Sequence, residues 1–161
     1  MWHNAPRRTV KYGAAERMKE IPPIKSVMTP FPHSIASAEP LKRAAEVMAS
    51  SGIEHLPVVE GDRLIGLLTD REARFVLDES AAGRREGPVR VKDACVAETY
   101  VVELTEPLDV VLTRMARSNV ESALVVKEGR LVGIFTRTDA CRCFGELLRS
   151  LFPRDRDDDA A

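Results

Sequence analysis

The chain has 161 residues and a formal net charge of −1, with 44% hydrophobic and 30% charged residues. That mixture belongs to a globular protein and excludes a disordered or collagen-like chain. The near-zero charge argues against a broad electrostatic affinity for nucleic acid, which needs clustered Lys and Arg, while leaving room for a local anion site.

In chain order, residues 1–20 read as an N-terminal extension with five Lys/Arg, two Glu and no clear period. No apolar stretch follows Arg7-Arg8, so a secretory signal is not expected. Trp2, Arg7, Arg8 and Lys11 raise one alternative, a nucleic-acid arm. The longest apolar run, Leu64 to Leu68, falls far short of the roughly 20 residues a bilayer demands. Cys95, Cys141 and Cys143 cannot all pair within one chain, so a reduced, cytoplasmic setting is expected.

From residue 24 onward the sequence repeats. Residues 24–77 lie over residues 91–144 without a gap, with 15 identities in 54 positions, among them Glu39/Glu106, Pro40/Pro107, Met48/Met115, Gly66/Gly133 and Thr69/Thr136. Each copy opens with a short helical turn: Ile24, Val27 and Met28 have i, i+3, i+4 spacing. A brief extended piece is expected near 33–35 and 100–103. Glu39-Pro40 and Glu106-Pro107 then start a helix, proline in its first turn and acid near the positive dipole end. Leu41, Ala44, Ala45 and Met48 give it an apolar face, as do Leu108, Val111, Leu112 and Met115. Gly52 and Asn119 stop these helices in the left-handed cap position.

Two strands follow in each copy, Leu56–Val59 with Arg63–Leu68 and Ala123–Val126 with Leu131–Phe135, joined by hairpin turns at Glu60-Gly61-Asp62 and Lys127-Glu128-Gly129. A last helix is expected from Asp70 to Leu77 and from Arg137 to Leu148. The implied fold is α/β (α+β): two β-α-β-β-α units whose uncovered sheet faces bury each other about a pseudo-two-fold axis. The expected division is 1–20 extension, 21–77 first unit, 78–90 linker with Gly83, Gly87 and Pro88, 91–148 second unit, and 149–161 a mobile acidic tail.

The hairpin of each copy runs into its last helix through one pattern, Gly66-x-x-Thr69-x-x-Glu72 and Gly133-x-x-Thr136-x-x-Asp139. Glycine allows close approach to the strand. The helix start favours a phosphate, and an acid one turn on can accept from ribose hydroxyls. The same Thr-x-x-acid spacing is also a capping box. Glu72, the longer acid, should close that box better than Asp139, which makes Thr136 and Asp139 the expected ligand copy.

Residues 24 to 148 resemble a tandem pair of CBS domains, the Bateman module. The resemblance rests on Lys25-Ser26-Val27-Met28-Thr29-Pro30, Glu54-His55-Leu56-Pro57-Val58-Val59 and the two Gly-x-x-Thr-x-x-acid ends; copy two has Cys95-Val96-Ala97 in place of Met-Thr-Pro. The resemblance implies a sensor that binds AMP, ADP, ATP, S-adenosylmethionine or NAD(H), and a homodimer acting on another, unnamed protein. By that resemblance Asp139 holds ribose and Thr136, with Gly133 beneath it, meets phosphate. Glu72, in the usual place of Asp, and Thr69 form the other site. Met28, Thr29 and Pro30, and Val96 and Ala97, line two adenine pockets. His55, replaced by Ser122 in copy two, and Arg71 and Arg137 are further phosphate contacts.

Cys141-x-Cys143 does not have metal-ligand spacing on a helix, and His3, His33 and His55 are scattered, so no metal site is expected. No hydrolase, Walker or zinc-protease signature is present, and no enzyme activity is expected. Phe144, Leu147, Leu148, Leu151 and Phe152 form an apolar stripe, part core and part available to a partner subunit. A ligand-free dimerising interaction module is the other alternative function.

Overall fold

The structure is a computed structural model that describes residues 20–152. Trp2, Arg7, Arg8 and Lys11 and the acidic tail beyond Phe152 lie outside the described residues, as do the expectations placed on them.

The element order follows the repeat. A 3-10 turn at Ile24–Ser26 leads to β1 (Thr29–Pro30), β2 (Ile35–Ala36), α1 (Leu41–Ser51), β3 (His55–Glu60), β4 (Arg63–Thr69) and α2 (Asp70–Ala81). A second 3-10 turn at Val91–Asp93 leads to β5 (Val101–Glu103), α3 (Leu108–Ser118), β6 (Ser122–Lys127), β7 (Arg130–Thr136) and α4 (Arg137–Leu151). Helix α2 therefore continues to Ala81, into the stretch expected as linker, and α4 runs to Leu151.

The stop signals act as their chemistry requires. Gly52 and Asn119 have φ of 62° and 50°, the left-handed cap that glycine and asparagine tolerate. Leu41, Ala44 and Met48 are buried on α1, and Leu108, Val111 and Met115 on α3. Leu112, expected on that face, is exposed.

The strands form one sheet in the order β2-β3-β4-β7-β6-β5, with β1 added on β7. Within each copy a short parallel strand flanks an antiparallel hairpin. The copies meet where β4 pairs β7 through Arg63 and Arg130. These two residues are equivalent in the repeat, so the pseudo-two-fold axis passes between them.

Exchange of the opening segments completes the two cores. Ile24 and Val27 pack with Val102, Leu108, Val111 and Phe135 of copy two. Val91 and Ala94 pack with Leu41, Met48, Leu56 and Leu68 of copy one. Backbone bonds hold the exchange: Ile24 N–H donates to Glu106 O at 2.8 Å and Val91 N–H to Glu39 O at 2.9 Å. The helix starts use it as well. Pro40 and Pro107 offer no side-chain cap, so the Leu41 and Leu108 N–H groups donate to Val89 O and Pro22 O, each at 3.0 Å, satisfying donors that a helix start otherwise leaves orphaned.

Candidate functional site

The exchange creates two equivalent junctions, each joining one copy's opening segment to the other copy's strand–helix corner. In the first, Val96 and Leu67 exchange backbone hydrogen bonds at 2.8 and 3.0 Å, and Ala97 follows beside Gly66. In the second, Thr29 and Pro30 pair with Ile134 and Gly133, and the Phe31 N–H donates to Val132 O at 3.0 Å. Met28, Thr29 and Pro30 therefore share a junction with Gly133, Thr136 and Asp139. Val96 and Ala97 share the other with Thr69 and Glu72. No sequence pattern within a single copy announces this cross-pairing.

Each glycine lies under a close neighbour from the other copy. A Cβ on Gly66 would sit 2.6 Å from the Val96 carbonyl oxygen, and a Cβ on Gly133 would collide with the Met28 Sδ. One obstacle is backbone, the other a flexible side chain.

At each corner threonine caps the helix. Thr69 Oγ1 accepts from Glu72 N–H at 3.3 Å, and the Thr69 N–H donates to Glu72 Oε2 at 3.1 Å. Thr136 Oγ1 accepts from Asp139 N–H at 3.3 Å, and the Thr136 N–H donates to Asp139 Oδ2 at 2.9 Å. Both boxes are closed, and the return bond to Asp139 at 2.9 Å is no longer than the one to Glu72 at 3.1 Å, against the expectation that the longer acid closes its box better. With Thr136 extended (φ −111°, ψ 169°), its N–H comes within reach of the shorter carboxylate. The Thr136 hydroxyl adds a bond to Asp139 Oδ2 at 2.8 Å.

Asp139 has a further partner that the sequence reading missed. Arg142 Nη2 donates to Asp139 Oδ1 at 3.1 Å and to the Val27 carbonyl at 3.3 Å, and Nη1 lies 3.5 Å from Glu146 Oε1. The guanidinium thus ties α4 to the opening segment laid across it. Partial burial works against its charge, but the Asp139 hydrogen bond and the nearby acids outweigh that and push its pKa up. The signal was present in the spacing: Asp139, Arg142 and Glu146 fall at i, i+3 and i+7 on one helix face. Copy one has Phe75 at the position of Arg142, and it is exposed.

The phosphate candidates are dispersed. His55 sits on β3 opposite Thr69. Its Nε2 is buried without a hydrogen-bond partner and lies 3.6 Å from Glu121 Oε2 of copy two, within charge reach and beyond hydrogen-bond length. Glu121 Oε1 in turn takes Arg137 at 3.2 Å. Glu121 thus stands between His55 of one copy and Arg137 of the other. Arg71 is exposed on the first turn of α2. Among the described residues no group of three or more His, Cys, Asp or Glu is placed to hold a metal, and no helix is long and apolar enough to cross a membrane. Cys95 takes the position of Met28 in the repeat, and burial pushes its thiol pKa up.

The sequence pattern of the CBS domain matches this chain twice, over residues 24–79 and 91–146. The chain belongs to the CBS domain family. Its relatives include inosine-5'-monophosphate dehydrogenase of Escherichia coli K12, 31% identical over 127 residues; the match takes in 78% of this chain and 25% of that enzyme. The chain therefore spans about a quarter of the length of that curated relative. Among solved structures, the CBS domain pair of protein MJ0100, in complex with 5'-methylthioadenosine and S-adenosyl-L-methionine, aligns with a TM-score of 0.67 at 26% identity, covering 78% of this chain and 98% of that one. CBSX2 in complex with AMP aligns with a TM-score of 0.70 at 22% identity, covering 80% and 99%. The mixed α/β architecture is that of a CBS pair.

Proposed function

We propose that this CBS pair is a non-catalytic sensor that binds an adenosine-containing ligand at its two exchange junctions. One observation carries the reading. Each junction brings a helix N-terminus, an acid one turn on and the other copy's opening segment to one place. A phosphate suits the first, ribose hydroxyls the second, and a base the third. The adenosine ligands of MJ0100 and CBSX2 support this chemistry. AMP, ADP, ATP, S-adenosylmethionine and NAD(H) are the ligands to test. The second junction is the principal site, with Asp139 on ribose, Thr136 on phosphate, and Met28, Thr29 and Pro30 against the base. Glu72, Thr69, Val96 and Ala97 form the secondary one, with His55 and Arg71 as its outer phosphate contacts, and Arg137 is the outer contact of the principal one. Binding favours one arrangement of the copies by its differential affinity, a population shift that a separate target protein reads.

Thermal melts with each ligand test the proposal. A ligand at 100 times its Kd adds about 2.7 kcal/mol to stability; no shift with any of them at millimolar concentration refutes it. Asp139→Ala should weaken binding more than Glu72→Ala, and the reverse order would move the principal site to the first junction.

A homodimer is part of the same proposal. Val110 and Leu112 on α3 and Phe144 (61% exposed), Leu148 and Leu151 on α4 leave apolar side chains exposed on two helices, the residue type that an association surface uses. Sedimentation velocity should show a dimer that Phe144→Glu with Leu148→Glu converts to monomer.

A further inference from the structure

Asp139 does not have room for both hydroxyls of a ribose. A carboxylate offers about four acceptor positions. Oδ2 already receives the Thr136 N–H and hydroxyl, and Oδ1 receives Arg142. One position remains, and a cis-diol brings two donors. The Thr136 bonds belong to the helix cap and are short at 2.9 and 2.8 Å. Arg142 is the partner that can move: its side chain is 32% exposed, and its contact with Asp139 is 3.1 Å.

Arg142 also has a place to go. Glu146 Oε2 is buried with no hydrogen-bond partner, and Glu146 Oε1 already lies 3.5 Å from Arg142 Nη1. A guanidinium that leaves Asp139 can close a two-pronged pair on Glu146 and satisfy that orphaned oxygen. Glu72, the equivalent of Asp139 in copy one, faces no such competitor, because Phe75 stands where Arg142 would be.

We propose that Arg142 sets the sugar specificity of the second junction: it occupies the Asp139 acceptor position that a second ribose hydroxyl needs, and it shifts to Glu146 when a cis-diol binds. The proposal rests on the adenosine reading of that junction. The intact junction accepts a single-hydroxyl sugar without disturbing Arg142, whereas a diol must first displace it. Arg142 therefore narrows the preference for ribose over deoxyribose, and Glu146 widens it. Release also frees the Val27 carbonyl, so the opening segment feels the occupancy of Asp139.

Adenosine and 2'-deoxyadenosine are suitable probes because neither carries a phosphate that would read the guanidinium charge directly. Their binding to the full chain is measured by calorimetry in the wild type, Arg142→Met and Glu146→Gln, with each variant's melt checked first. Arg142→Met should tighten adenosine about threefold to tenfold, the net worth of one ordinary hydrogen bond, and leave 2'-deoxyadenosine within about twofold. Glu146→Gln should weaken adenosine by a similar factor and spare the deoxy compound. Equal shifts for both nucleosides, or weaker adenosine binding by Arg142→Met, overturn the role of Arg142. If Arg142→Met does not fold, unchanged adenosine binding by Glu146→Gln overturns it alone. Adenosine binding that no variant alters refutes only this inference, whereas no binding to the wild type refutes the adenosine reading together with it.

Discussion

The two junctions of this CBS pair share a design and differ in what fills it. In the first, the Val96 backbone lies against Gly66, and Glu72 closes a cap. In the second, the Met28 side chain lies against Gly133, and Asp139 is held by a cap on one oxygen and an arginine on the other. The repeat keeps one scaffold at both corners and fills the two with different chemistry. The first corner is sterically rigid and chemically simple. The second is sterically soft and densely hydrogen-bonded.

The largest test of that contrast lies beneath the corners. Phe135 stands where copy one has Leu68, and both are fully buried. Phe135→Ala should cost about 4 kcal/mol and Leu68→Ala about 3 kcal/mol in urea unfolding. A cost for Phe135→Ala below that of Leu68→Ala would mean that the second core is the looser one. The glycines come next. Gly66→Ala drives a methyl into a carbonyl that cannot turn aside and should cost about 3 kcal/mol, whereas Gly133→Ala asks only that Met28 change rotamer and should cost about 1 kcal/mol. Equal costs would erase the distinction between rigid and soft corners.

The caps make a smaller difference. Thr69→Ala and Thr136→Ala should each lose about 1 kcal/mol, with Thr136→Ala the larger because its hydroxyl also donates to Asp139; a larger loss for Thr69→Ala would contradict that. The smallest effect appears in alkali. Burial, reinforced by Glu106, pushes the Tyr100 phenol up, with Arg114 opposing. The folded chain then holds that proton more tightly than the unfolded one. Its contribution is intact below the ordinary value near 10 and is lost as pH rises through the folded pKa. Tyr100→Phe should flatten the alkaline limb of the melting curve. His33, its counterpart, is exposed, so His33→Ala should leave that limb unchanged.

The element order was readable because Pro40, Gly52, Thr69 and their counterparts punctuate each copy with local signals. The partner of each opening turn was not. Ile24 with Val27 and Val91 with Ala94 present the same apolar spacing, which does not tell one copy's core from the other's. Backbone bonds to Glu106 and Glu39, far off in sequence, hold the exchange. The motif residues of the corners were legible for the same local reason as the caps. Asp139's ability to close its box depended on backbone angles that side-chain length does not reveal. Arg142 was overlooked because an arginine three residues past an acid is ordinary on a helix surface. Only the Val27 carbonyl laid over it makes the position special.

The exchanged opening segments also impose an order on synthesis. As the chain leaves the ribosome, copy one has its hairpin and both helices in hand, yet its core lacks Val91 and Ala94. Copy two, made later, finds Ile24 and Val27 already waiting. Neither core is finished until the other copy has contributed, so long-range contacts close both. A chain ending before residue 91 would lack Val91 and Ala94 of the first core, so emergence of residues 91 to 94 supplies the side chains that complete it.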